Sequence, residues 1–133
     1  MTDEVSMPIY NKYHEDGLGL MQIGHGRITL AEVLVANHEL ANSPDKTAGR
    51  TYGLIDLTDV TEMDMTGMDM QAAANVGKRV ILQPGAKVAI VAPSDAAFGL
   101  SRIWEVFVEP AGWKTRVFRD RAKAFEWVVS QDD

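Results

Sequence analysis

The sequence predicts a single α/β domain whose sheet is mixed, mainly parallel and built of four or five strands packed with helices. Three observations carry that expectation. Two nearly unbroken apolar runs, residues 52–57 and 86–92, match strands covered on both faces. Stretches with helical apolar spacing alternate with them. Near the start, Asp16-Gly17 separates two short apolar segments, the signature of a tight antiparallel hairpin. The predicted order is β-β-α-β-α-β-α-β-α.

Each element follows from its residues. Residues 1–6 are polar and expected to be disordered, and Ile9, Tyr10 and Tyr13 mark the first strand. Residues 18–23 form the second, after which Gly24-His25-Gly26 is expected to loosen the backbone before it continues through Arg27 and Ile28. Thr29-Leu30-Ala31-Glu32 is a capping box, so a helix starts there and runs to about Ala41, stopped by Asn42-Ser43-Pro44-Asp45. A polar loop leads to the strand at 52–57, and an acidic loop follows it. Thr66 with Asp69 three residues on caps the next helix, which extends toward Arg79 and ends by Leu82-Gln83-Pro84-Gly85. Pro93 closes the strand at 86–92, and Ser94 or Asp95 caps a third helix with the stripe Leu100, Ile103, Trp104, Phe107 and Val108. Residues 114–119 read as a last strand, and Asp120 as the cap of a last helix carrying Ala124, Phe125, Trp127 and Val128.

Composition excludes several functions. A chain of 133 residues makes one domain with a real core. Its net charge of -6 argues against nucleic acid, whose binding rests on clustered Lys and Arg. With no cysteine there is no disulfide, thiolate metal site or cysteine nucleophile. The acidic start lacks a basic segment followed by an apolar run, and no stretch approaches the roughly 20 apolar residues of a transmembrane helix, so a cytoplasmic protein is expected. His14, His25 and His38 have no metal-ligand spacing, and neither a Gly-x-Ser-x-Gly elbow nor a Gly-x-Gly-x-x-Gly loop occurs. Asp56, Asp59, Glu62 and Asp64 could offer oxygens to Mg²⁺, but a solvated acidic loop is the commoner meaning of such a run. No catalytic set, metal or cofactor is expected. If the chain has a working site, it is where the strand at 52–57 hands over to the helix at Thr66, because ligands and partners of open α/β sheets meet strand carboxyl ends.

Residues 60–68 resemble the STAS domains of anti-sigma factor antagonists, in which a strand ending in Asp-Leu leads to an Asp-Ser-Ser/Thr-Gly-apolar segment that opens a helix. Here the segment is Asp64-Met65-Thr66-Gly67-Met68, with Met65 where the pattern usually has serine. The second half is similar to the SpoIIAA-like (STAS/Sec14-like) branch of small bacterial proteins through Val88-Ala89-Ile90-Val91-Ala92-Pro93, Ala97-Phe98-Gly99-Leu100-Ser101-Arg102 and Val117-Phe118-Arg119-Asp120, with Ala124 and Trp127. The resemblance spans residues 26–128 and implies a STAS-like fold.

It also implies a non-enzymatic regulatory module. The phosphoacceptor position of the antagonists falls on Thr66, and Asp64, Met65, Gly67 and Met68 would form the surface that docks a protein partner such as an anti-sigma-type serine kinase. A phosphate there would meet a helix N-terminus that tolerates an anion, with Asp64, Asp69 and Glu62 opposing it nearby. A plain helix cap is the competing reading of Thr66. Met63, Met65, Met68 and Met70 crowd the same region; with Met65 and Met68 on one helical face and Met70 off it, at least one should be exposed. The second reading is a binder of a small apolar or lipid-like ligand in a Sec14-like cavity, with Ser101, Arg102 and Trp104 as anion or ligand contacts. Trp113, on a loop, is a candidate homodimer contact.

Overall fold

The computed structural model describes residues 7–131. The disorder expected of residues 1–6 lies outside them. Five strands, β1 (Ile9–Tyr13), β2 (Gly19–Thr29), β3 (Tyr52–Asp64), β4 (Lys87–Val91) and β5 (Lys114–Phe118), form one sheet in chain order. β1 and β2 are the antiparallel hairpin, and β2 through β5 are parallel. The helices are α1 (Leu30–Ala41), the single turn α2 (Pro44–Thr47), α3 (Gly67–Gly77), α4 (Asp95–Val108) and α5 (Arg121–Val129), with a short 3-10 turn at Glu109–Ala111.

α1, α3 and α4 cover one face of the sheet and α5 the other. Val33, Ala36, Met70, Ala73, Ala74, Ala97, Trp104 and Val108 pack against Ile9, Ile28, Leu57, Val88 and Ile90 in the main core. On the far face Ala124 and Val128 meet Met21, Tyr52, Leu54, Ala89 and Val91. Three successive crossovers on one face step the strands in one direction, as right-handed βαβ units do. Lys87, in the buried strand β4, turns its Nζ to the Ser130 and Trp127 carbonyls at 3.0 and 3.2 Å, so the cation sits against the carboxyl end of α5.

One expectation gives way. The acidic stretch after Leu57 is not a loop, because β3 continues through it to Asp64. What holds it straight is β2, whose pairing runs on to Thr29↔Asp64. Gly24-His25-Gly26 loosens β2 as expected, with two register shifts and Gly26 at φ +66°, and the strand continues through Arg27 and Ile28 to Thr29. Beyond Asp56, β3 pairs with β2 alone, because β4 reaches only Tyr52–Asp56. The strand pair therefore overhangs the sheet and delivers the chain to α3.

The hairpin turn is anchored by Asp16. Its carboxylate accepts from the Leu18 and Gly19 N–H groups at 2.8 and 3.0 Å and from the Tyr52 hydroxyl at 2.7 Å. Desolvation alone would raise the carboxyl, but these hydrogen bonds, with His14 beside it, outweigh that and bring it from 3.8 to about 2. Because the folded carboxyl ionises at lower pH than the unfolded one, its stabilisation is complete above pH 4 and is lost as pH falls from 3.8 toward about 2. Tyr52→Phe removes one of these donors. We expect a stability loss of about 1 kcal/mol at neutral pH, reduced by the exposure of the carboxylate, and a shallower decline in acid. Urea titrations at pH 7 and pH 3 check both.

Candidate functional site: the tip of helix α3

Thr66 stands where β3 ends and α3 begins. Its backbone is extended, with φ -98° and ψ 173°, and its Oγ1 accepts from the Asp69 N–H at 3.1 Å while its own N–H donates to Asp69 Oδ2 at 2.9 Å. The capping box expected from Thr66 and Asp69 is thus formed in both directions. Thr66 is exposed, as are Asp64 and Met68, and Gly67 is half-buried. A Cβ on Gly67 would lie 3.4 Å from Ile103 Cδ1, so the first turn of α3 lies close against α4.

Arg27, at the end of β2, adds a cation that the sequence pattern did not point to. Its guanidinium pairs with Asp64 and lies 3.8 Å from Glu62. Only the long β2–β3 register brings Arg27 to this place, 37 residues away in sequence from Asp64. The tip of α3 therefore carries one exposed hydroxyl, an arginine already held by Asp64 and Glu62, two and four residues before Thr66, and an apolar side chain, Met68, with 80% exposure.

Several predicted site residues lie elsewhere. Met65 is not a surface contact: it precedes the helix, its side chain enters the main core, and Met70 joins it there. The supposed shared face of Met65 and Met68 does not exist, because helical spacing begins only at Gly67. Asp56 is buried within β3, where Arg121 Nε lies 3.1 Å from it and the Thr58 N–H donates to it at 3.0 Å. Among the described residues no three His, Asp or Glu side chains are grouped to hold a metal ion. Ser101 and Arg102 do not converge on an anion, since Arg102 is exposed and bound to Glu105 at 3.0 Å while Ser101 is wholly buried. Trp104 belongs to the main core, and Trp113 is half-buried against the same cluster rather than free on a loop.

No family model and no curated protein matches this chain. Among solved structures it is similar to an uncharacterised protein of the DUF3478 family with a SpoIIAA-like fold from Shewanella loihica PV-4, at 18% identity and a TM-score of 0.57, over 90% of this chain and 91% of that one. The fold is SpoIIAA-like. The STAS-like architecture implied by the sequence resemblance is borne out at this level.

Within the SpoIIAA-like domain, two features stand out. One is the exposed tip of α3. The other is a cavity of about 90 Å³ between the sheet and the helices, lined by Ser101, Trp104, Met63, Met65 and Met70 among others. That volume is far below the roughly 300–1,000 Å³ of usual ligand sites, so a lipid does not fit it as it stands. None of the described helices is long and apolar enough to cross a membrane.

Proposed function

We propose that this chain is a non-enzymatic, cytoplasmic regulatory module that docks a protein partner through the tip of α3 and is switched by phosphorylation of Thr66. The observation that carries the reading is an exposed threonine hydroxyl at a helix N-cap, two residues before a methionine that is 80% exposed. Met68, Gly67 and the neighbouring Ile103 offer an apolar, adaptable contact, and Asp64 with Arg27 offers a polar rim. An anti-sigma-type serine kinase is the partner class that the resemblance favours.

The switch is local electrostatics. A phosphate ester on Thr66 Oγ1 adds nearly two negative charges at the place where Asp69 now bonds the Thr66 N–H. The free N–H groups and dipole of α3 favour the anion, while Asp69 and Asp64 repel it. The added charge also competes with Asp64 for Arg27. A partner seated on Met68 would meet a reorganised rim and a new dianion, without any need for the domain to unfold.

Incubation of the purified protein with ATP and soluble extract of the native host should add one phosphate to the peptide containing Thr66. Thr66→Ala should take none there, and it should lose about 1 kcal/mol of stability through the missing cap. Phosphopeptide mapping with a urea titration of each variant reads both. Absence of phosphate from the wild-type peptide, or equal labelling of Thr66→Ala, removes the switch.

A further inference from the structure

The helix layer is built with small residues where it meets the sheet. The inward side of α3 is Met70, Ala73, Ala74 and Gly77, and that of α4 includes Ala97 and Ser101 beside Trp104. Small side chains leave the space between layers incompletely filled, and the cavity of about 90 Å³ is what remains. No charged side chain lines it, and none of its lining residues is exposed. Two amides reach it, and both are engaged: Gln22 Nε2 donates to Asn37 Oδ1 at 3.1 Å, and Asn37 Nδ2 donates to the Ala73 carbonyl at 3.2 Å.

Ser101 is different. Its hydroxyl is fully buried and has no hydrogen-bond partner among the described residues. Among the described residues Thr47 Oγ1 and Trp127 Nε1 share that condition, but neither residue lines the cavity. A buried hydroxyl left unpaired at the wall of an apolar void is a costly arrangement that a guest with one acceptor atom would relieve.

We propose that the cavity is a binding site for a small, uncharged, mainly apolar molecule carrying a single carbonyl or ether oxygen, with Ser101 Oγ donating to that oxygen. An apolar cavity of roughly 150 Å³ accepts benzene, so the space as it stands takes a guest of about four non-hydrogen atoms, and one of six only as its walls yield. The lack of charged lining excludes carboxylates, phosphates and amines, which would be buried without a counter-ion. Met63, Met65 and Met70 can yield to the guest because unbranched thioethers change rotamer readily. The site stands independently of phosphorylation at Thr66, although Met65, in its wall, is the residue next to that threonine.

Cyclopentanone and cyclopentane make a matched pair of probes, alike in shape and differing in the carbonyl. With methionine methyl groups labelled with ¹³C, cyclopentanone should shift the Met63, Met65 and Met70 signals saturably and leave the exposed Met68 and Met7 unmoved. It should bind about fivefold more tightly than cyclopentane, the value of one net hydrogen bond. Ser101→Ala should erase that preference and leave cyclopentane binding as it was. The proposal is overturned by no saturable shift with either probe, by shifts at Met68 equal to those inside, or by a ketone that binds wild type no better than the hydrocarbon. Ketone affinity unchanged in Ser101→Ala overturns it as well. Should that variant fail to fold, the wild-type comparison of the two probes decides alone.

Discussion

Gly19→Ala is expected to cost about 3–5 kcal/mol and to leave the domain largely unfolded at moderate urea. Gly19 and Tyr52 are neighbours across β2 and β3, and a Cβ built on Gly19 falls 2.3 Å from the ring and hydroxyl of Tyr52. The ring has nowhere to go. It is among the largest fully buried side chains, its hydroxyl holds Asp16 at 2.7 Å, and its edge meets Phe125 at a centroid distance of 6.1 Å. Moving it costs an overpacking term of about 1–3 kcal/mol, the hydrogen bond to the partly exposed Asp16 of about 1 kcal/mol, and the edge contact with Phe125 of about 0.5–1.5 kcal/mol. If the clash is the cause, Gly19→Ala combined with Tyr52→Leu should be less damaged than the sum of the single changes. Urea denaturation followed by circular dichroism gives all three values. Additive losses would mean that the cost lies in the backbone and not in the ring.

Trp104→Ala should be nearly as severe, at about 3–5 kcal/mol, because a large side chain buried in α4 leaves a void that its surroundings cannot close. Here the void would join the existing cavity. Trp104 also lies against the far end of α3, with its Nε1 3.9 Å from where a Cβ on Gly77 would be. Loss of the indole should therefore loosen α3 as well as lower the midpoint. Hydrogen exchange of the α3 amides in Trp104→Phe, which keeps most of the apolar contact, separates that local effect from global unfolding. Protection of α3 equal to wild type in Trp104→Phe together with a small stability loss would fit; equal losses in Phe and Ala variants would not.

Much of the architecture was legible from local pattern. The runs at 52–57 and 86–92 read as buried strands because nothing polar interrupts them, and Thr29, Thr66, Ser94 and Asp120 read as helix starts because their side chains can take an N–H there. In the structure Ser94 and Asp120 do so, accepting from the Ala97 and Lys123 N–H groups at 3.1 Å in each case. What stayed hidden was non-local. The stretch after Leu57 is rich in carboxylates and threonines and reads as a loop, and only its pairing with β2 makes it a strand. The same pairing brings Arg27 to Asp64.

The inner face of α4 was misplaced by a smaller error. The buried positions are Ala97, Ser101, Trp104 and Val108, a helical stripe of small and large residues, whereas Ile103 lies at the exposed margin. Weight given to large apolar residues hid the two small ones. Seen as part of that stripe, Ser101 would have read as an inward hydroxyl and not as a partner for the exposed Arg102.

The overhang of β3 has a cost and a remedy. From Leu57 to Asp64 one flank of the strand has no neighbouring strand among the described residues, and an unpaired flank of that length can template the growth of a second chain upon it. Asp59, Glu62 and Asp64 are exposed along this stretch of β3, their charge only partly offset by Arg27. Two copies approaching side by side would bring like charges together before any backbone could pair. The same acidic letters that read as a loop act as gatekeepers against self-association, and neutralising them should make the protein aggregate before it unfolds.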